Sequence, residues 1–302
     1  MGASGLIDLH THTTASDGSL SPSALMEAAR TAGLHAIAIT DHDTLAGYDE
    51  AAAAAGGAGP ELICGIEIST RHRDERWPHG KTVHLLGYFL SGGPPAEFRG
   101  WLQALAEFRR DRNRRLAARL ESVGVGITLE EVEAVGRHMA GRPHFARLLV
   151  AKGYASSIQE AFDVYLDEKG KAFVEHESPS LMEAIDLVVK AGGLASLAHP
   201  VRLGRRKGNE EEALIATLVG AGLGAIEVFH SDHNPPDVMR YLGLARRFGV
   251  ALTGGSDYHG EAKPEVELGT GRRGNVSVPR RVLEGLRASF DATRGLVRTG
   301  TQ

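Results

Sequence analysis

Short apolar runs and amphipathic stretches take turns along two parts of this chain, from residue 6 to about 90 and again from about 178 onward. The runs Leu6 to Leu9, Ala36 to Thr40 and Leu62 to Ile68 have the length and composition of buried strands. Ser21 and Pro22 form a helix start with proline in the first turn, and Gly33 closes the helix over Ser23 to Ala32. An alanine-rich helix is predicted near Asp49 to Ala55. After residue 178 the order resumes with helix Leu181 to Ala191, strand Leu194 to Ala198, helix Glu210 to Ala221 and strand Ala225 to Phe229. Helix Pro236 to Phe248, strand Val250 to Thr253 and a last helix Arg280 to Phe290 complete it. Such alternation predicts parallel strands joined by crossover helices, in a barrel or a doubly wound sheet.

The stretch from 97 to 175 breaks this rhythm, because it reads as mostly helical with no convincing strand. It is expected to be an inserted helical subdomain, a cap on a larger domain made of residues 1–96 and 176–302. One of its helices carries Arg109, Arg110, Arg112, Arg114, Arg115 and Arg119 against only Glu107 and Asp111. Most of these arginines read as a solvated face. Arg112 differs, since it falls inside the apolar stripe of Leu105, Phe108, Leu116 and Leu120. It must pair, cover apolar surface with its stem, or reach towards a cavity.

Composition narrows the class. At 302 residues, 42% hydrophobic and 24% charged, the chain is an ordinary globular one. A formal charge of -4 gives no broad basic field, so binding to long duplex nucleic acid is not expected. There is no apolar run long enough to span a bilayer and no basic-then-apolar leader, which makes the cytoplasm the expected compartment. The single cysteine, Cys64, lies in a predicted strand and reads as packing.

The polar residues at the strand ends carry the chemistry. His10 and His12 are spaced by two at the end of the first run, so on a strand they share a face, and a turn can bring Asp17 back to them. Asp41, His42 and Asp43 follow the second run, Glu67 the third, and His84 lies in the next apolar segment. His199 ends the strand at Ala198, and Asp257 and His259 repeat the spacing of two beyond Thr253. In a parallel barrel the carboxy-terminal strand ends form one face, where groups scattered over the sequence can converge. A mixed imidazole and carboxylate set suits manganese, zinc or iron better than calcium, and its size implies more than one ion.

His10 with His12, Asp17, Asp41 to Asp43, Glu67, His84, His199 with Pro200, and Asp257 to His259 together resemble the motifs of the PHP family, the polymerase and histidinol phosphatase domain, in the family's order. The insertion, with Gly141, Arg142, Pro143 and His144 at its centre, resembles that of stand-alone PHP phosphoesterases acting on nucleotides. The resemblance implies a distorted seven-stranded β/α barrel, similar to a TIM barrel, with two or three divalent ions. It further implies that His10, His12, Glu67 and Asp257 hold one ion, that Glu67 with His84 and His199 holds a second, and that Asp17, His42 and His259 complete a third. Glu67, Asp257 and Asp17 would be the catalytic carboxylates.

The expected reaction is hydrolysis of a phosphate monoester by a metal-activated hydroxide. The expected substrate is AMP, a nucleoside 3',5'-bisphosphate or a short oligoribonucleotide end. Arg142 and His144 are read as phosphate contacts or as a helix-entry turn set by Pro143, and Arg112 and His233 as further substrate contacts. His230 is a weaker substrate contact; Asp43 either orients a ligand histidine or is an exposed loop residue, and Glu227 either faces the barrel interior or pairs with an arginine. The alternatives are a histidinol-phosphate phosphatase, an amidohydrolase-type enzyme, and a metal- or nucleotide-binding module without turnover. No P-loop motif is present, which argues against an NTPase.

Overall fold

The computed structural model describes residues 5–54, 59–75, 77–78, 80–136, 140–167, 169–174, 178–204 and 209–299. The expected helix end at Ala55 and the expected boundary at 175 and 176 lie outside these residues. By its contacts the chain forms two compact units, one of residues 1–99 with 179–302 and one of residues 100–178.

The first unit is built on seven strands hydrogen-bonded in sequence order, β1 (Ile7–Thr11), β2 (Ala36–Ile39), β3 (Glu61–His72), β4 (Lys81–Phe89), β5 (Leu194–Leu197), β6 (Ala225–His230) and β7 (Ala251–Gly255). Its helices are α1 (Pro22–Thr31), capped by the Ser21 side chain, and α2 (Ala46–Ala54), followed beyond the insertion by α7 (Leu181–Lys190), α8 (Glu210–Gly220), α9 (Pro235–Phe248) and α10 (Arg281–Thr299). The sheet nearly closes into a barrel. Where β1 ends, His12 N–H donates to the Tyr258 carbonyl at 2.9 Å and Asp257 N–H to the His10 carbonyl at 2.9 Å. At the other end Ile7 N–H donates to the Val278 carbonyl at 3.0 Å.

The expectation of an all-parallel sheet is corrected: β4 runs antiparallel to both β3 and β5. The cause is the short connection over residues 73–80, too brief for a crossover helix, which makes β3 and β4 a hairpin. Reversal puts the first half of β4 beside the carboxy-terminal half of β3, with His84 opposite Ser69. His84 therefore reaches the same end of the barrel as Glu67.

β1 departs from simple alternation as well. Its register against β2 shifts between Asp8 and Thr11, so one extra residue is absorbed there. Ile7 and Leu9 pack in the core with Ala36, Ala38, Tyr88 and Val278, whereas His10 and His12 beyond the shift join the polar cluster described below. β1 and β7 approach closely enough to require glycine. A Cβ on Gly255 would sit 2.3 Å from the His10 nitrogen and 2.6 Å from Asp8 Oδ1. Cys64 is buried in β3, as packing predicts.

The second unit is helical, with no strand among the described residues. Its helices are α3 (Ala96–Ser122, which begins just before it), α4 (Leu129–Gly136), α5 (Arg142–Ala151) and the short α6 (Ile158–Ala161). Its core gathers Leu116, Leu120, Ile127, Val132, Phe145 and Leu149. On α3 one expected stripe residue is corrected, for Phe108 is 64% exposed. The buried line runs through Leu102, Leu105, Arg109, Arg112, Leu116 and Leu120 at helical spacing, and position 108 falls off its edge.

Candidate metal centre

Glu67, near the middle of β3 and almost wholly buried, is the hub of the polar end of the barrel. Its Oε2 lies 3.1 Å from His10 Nε2, 3.1 Å from His12 Nε2 and 3.4 Å from His42 Nδ1. Its Oε1 lies 2.7 Å from His84 Nδ1 and 2.9 Å from His199 Nε2. Five imidazoles from four parts of the chain thus meet one carboxylate. Asp257, at the end of β7 with φ +59°, presents Oδ1 to His10 Nε2 at 3.6 Å and to His12 Nε2 at 3.4 Å. Asp17 faces His12, His42 and His259 at 3.6, 3.8 and 3.2 Å.

The loops are fixed by further polar side chains, of which Asp8, Arg202 and Lys263 were not singled out in the sequence. Asp41 takes Thr13 N–H at 2.7 Å, Thr13 Oγ1 at 2.7 Å and Ser16 Oγ at 2.5 Å, which folds the segment before Asp17 back over the site. Asp43, read either as orienting a ligand histidine or as an exposed loop residue, is buried rather than exposed and accepts Ser69 N–H at 2.7 Å. Asp8 accepts Ser256 N–H at 2.9 Å, the Ser256 hydroxyl at 2.5 Å and Gly269 N–H at 2.8 Å. Arg202 and Lys263 both donate to Asp257 Oδ2, at 2.9 and 2.8 Å. Neither has a local sequence signal, since one follows His199 by three positions in a short 3-10 turn and the other lies in a glycine-rich segment.

The donor atoms fit a cation. His10 Nε2, both ring nitrogens of His12 and His42 Nδ1 are buried and make no hydrogen bond of sound geometry, though carboxylate oxygens converge on them. A buried polar atom without a hydrogen bond is costly unless something else satisfies it. Among the described residues four compact groups could each hold an ion: His10, His12, Glu67 and Asp257; His12, Asp17, His42 and His259; His42, Glu67 and His84; and His10, Glu227 and His230. The first coincides with the set expected for one ion. The second adds His12 to the expected trio. In the third, His42 stands with Glu67 and His84, while His199 meets the same oxygen as His84, Glu67 Oε1.

Electrostatics sort the groups by charge. Burial works to raise the Glu67 carboxyl, but His42, His84 and His10 hold it well below the usual range. Asp257 and Asp17 are held well below theirs in the same way, against burial, chiefly by His10 and His12 for the first and His42 and His259 for the second. Burial pushes His42 down to about 4 and His199 down to about 3, so both rings are neutral. His12 goes the other way, up to about 9, because the carboxylates of Asp257, Glu67 and Asp17 close to its ring outweigh burial. Glu227 is lowered to about 2, against burial, by His10 and His230. Its partner is thus a histidine where an arginine was the alternative.

The expected substrate contacts fall into different places. His233 is buried, donating from Nδ1 to the Val228 carbonyl at 2.8 Å, with its ring beside His230 and Tyr241. Arg112, Arg142 and His144 belong to the helical unit. There the His144 ring accepts Gly141 N–H at 3.1 Å at the start of α5, the helix-entry role. Arg112 is buried and lowered to about 9 by burial and by the neighbouring Arg142, Arg109 and Arg115. The surface arginines Arg110, Arg114 and Arg115 are paired with Glu133 or Asp111, as a solvated face predicts. Beside His84 and His199 the barrel opens into a pocket of about 190 Å³, lined also by Lys81, Thr82 and Arg202.

Residues 8–88 match the PHP domain family. The chain is 34% identical over 270 residues to a 3',5'-nucleoside bisphosphate phosphatase of Chromobacterium violaceum, covering 87% of this chain and 90% of that protein. It is 34% identical over 252 residues to a 5'-3' exoribonuclease of Haemophilus influenzae, covering 83% and 89%. A solved structure from Bifidobacterium adolescentis, described as a metal-dependent phosphoesterase, is similar with a TM-score of 0.73 and 34% identity, over 95% of this chain and 96% of that one.

Proposed function

The chain belongs to the PHP family of metal-dependent phosphoesterases, hydrolases of phosphoric ester bonds, and from that premise we propose that it cleaves phosphate monoesters of nucleotides or short oligoribonucleotides at the group centred on Glu67. The observation that carries the reading is the single buried carboxylate shared by five imidazoles, with Asp257 and Asp17 flanking it.

His10, His12, Glu67 and Asp257 would hold one divalent ion, Glu67 with His84, His42 or His199 a second, and Asp17, His12, His42 and His259 a third. Manganese, zinc and iron suit these donors. When bound, such ions neutralise phosphate oxygens and acidify water. In the reaction a water oxygen bonds to phosphorus as the ester P–O bond breaks, and the departing alcohol oxygen gains a proton. Glu67 and Asp257 contribute negative charge that keeps the cations together. Arg202 and Lys81, on the wall of the open pocket, supply positive charge for phosphate. Arg202 also steadies Asp257 Oδ2. Arg112, Arg142 and His233 are proposed as substrate contacts on the strength of their charge and hydrogen-bonding groups, and His144 as the residue that sets the turn carrying Arg142.

The nucleotide preference rests on the two named relatives, one a bisphosphate phosphatase and the other an exoribonuclease. The test is phosphate and nucleotide release by manganese-loaded protein from adenosine 3',5'-bisphosphate, AMP, a short 5'-phosphorylated oligoribonucleotide and histidinol phosphate. Release from one of the nucleotides, abolished in Glu67→Gln, is the expected result. Turnover of histidinol phosphate alone, or of amide and lactone substrates alone, would overturn it. So would full turnover by metal-loaded Glu67→Gln.

A further inference from the structure

Glu227 sits in the middle of β6, in a run that is otherwise apolar up to Phe229, and its side chain is wholly buried. An ionised carboxylate in such a place is expensive unless its oxygens are met by donors. Two donors meet it. His10 Nδ1 lies 2.8 Å from Oε1, and the backbone N–H of His199 lies 2.6 Å from Oε2. A carboxylate offers only acceptors, so His10 must carry its proton on Nδ1.

The geometry beyond these two contacts gives them a purpose. The other nitrogen of His10, Nε2, points at Glu67 Oε2 and Asp257 Oδ1, at 3.1 and 3.6 Å. Keeping the proton on Nδ1 leaves the Nε2 lone pair free on the side where an ion would sit. His199 stands in a backbone conformation that residues with a Cβ seldom adopt, φ +27° and ψ 62°, and its N–H is the group that Glu227 grips. That grip holds the ring with Nε2 2.9 Å from Glu67 Oε1. One side chain on β6 thus joins a histidine of β1 to the turn after β5.

We infer that Glu227 is a positioning residue, which fixes the ring tautomer of His10 and the backbone of His199 so that both imidazoles present Nε2 to the metal ions. The inference rests on the reading of the Glu67 group as the metal centre. Glu227 also forms a compact group with His10 and His230 that could be taken for a further ion site. Its two oxygens already accept N–H donors, which makes it an orienting group. A glutamine cannot replace it, because the carboxamide has one acceptor and one donor end. Turned either way, it sets N–H against N–H at His199, or forces the His10 proton from Nδ1 to Nε2.

The experiment compares zinc-loaded wild type with Glu227→Gln and Glu227→Ala. Zinc affinity is read by competition with a chelator, zinc content by elemental analysis, and the His10 tautomer by nitrogen–proton correlation NMR. Wild type is expected to show His10 protonated at Nδ1 and zinc-bound at Nε2. Both variants should bind zinc about 10- to 100-fold more weakly, and the His10 Nδ1–H signal should be lost. Unchanged affinity with an unchanged His10 signal in a folded variant would overturn the inference. Wild-type His10 bound to zinc through Nδ1 would overturn it without any variant. Wild type that takes up two ions, plus one more that Glu227→Gln alone fails to bind while His10 is unaltered, would make Glu227 a ligand instead. A wild-type chain that holds no zinc or manganese would overturn the metal reading itself, and this inference with it.

Discussion

At the scale of residues, the site holds two kinds of histidine. His42 and His199 are kept neutral by burial, with values of about 4 and 3, and are ready to donate a lone pair. His12, at about 9, and His10, raised well above its ordinary value by Glu227, Glu67 and Asp257 against burial, carry a proton at neutral pH when carboxylates are their only partners. An ion must displace those protons. Loading at pH 7 is therefore expected to release roughly two protons per chain, measurable with an indicator dye in weak buffer. The sign follows: a raised histidine value favours the unloaded site at low pH, so metal affinity should rise with pH up to about 9, where His12 deprotonates unaided. An affinity flat between pH 6 and 9 would contradict this account. Most of the histidines and carboxylates were legible in the sequence because they lie at or soon after the end of an apolar run, while Glu67 and His84 stood out as polar residues inside one. Their partners were not legible. Arg202 and Lys263 reach Asp257 from turns whose path no periodicity encodes, and Glu227 looked equally suited to an arginine.

At the scale of elements, the seam between β1 and β7 depends on Asp8. This buried carboxylate takes up the N–H groups of Ser256 and Gly269 and the Ser256 hydroxyl. Asp8→Ala would leave those donors buried without acceptors, each costing roughly 1–3 kcal/mol. A loss of about 3 kcal/mol is expected from urea unfolding, together with weaker metal binding, because Asp257 follows Ser256 directly. Most elements could be read from periodicity and capping, as with Ser21 and Pro22 at the start of α1. The direction of β4 could not be read from apolar pattern, which is identical for either sense. It could have been read from the length of the connection after His72, and that is also why His84 belongs to the site although it lies early in its strand.

At the scale of the whole molecule, ions that bind only the folded chain stabilise it by mass action. At an ion concentration of 100 times Kd, one site contributes about 2.7 kcal/mol. Removing the ions with a chelator should lower Tm by roughly 5–10 °C, and manganese added back should restore it. No change on chelation would speak against ions tied to folding. No helix among the described residues is long and apolar enough to cross a bilayer. The break in rhythm near 97 and its return near 178 marked out the helical stretch; of the two arginines buried on α3, Arg112 could be read from its place inside the apolar stripe, whereas Arg109 was grouped with the solvated face.

The bond from Ser256 N–H to Asp8 spans 248 positions of chain. It has a consequence for the order of events in time. During synthesis His10, His12 and Asp17 emerge first, and must wait for nearly the whole of the remaining chain before Asp257 and His259 exist to join them. Seam and metal group close together, as a late step, since both need partners more than 200 positions apart in the chain. A product arrested before residue 256 would still carry His42, Glu67 and His84, but it would lack Asp257 and His259 and with them two of the groups that His10, His12 and Asp17 join.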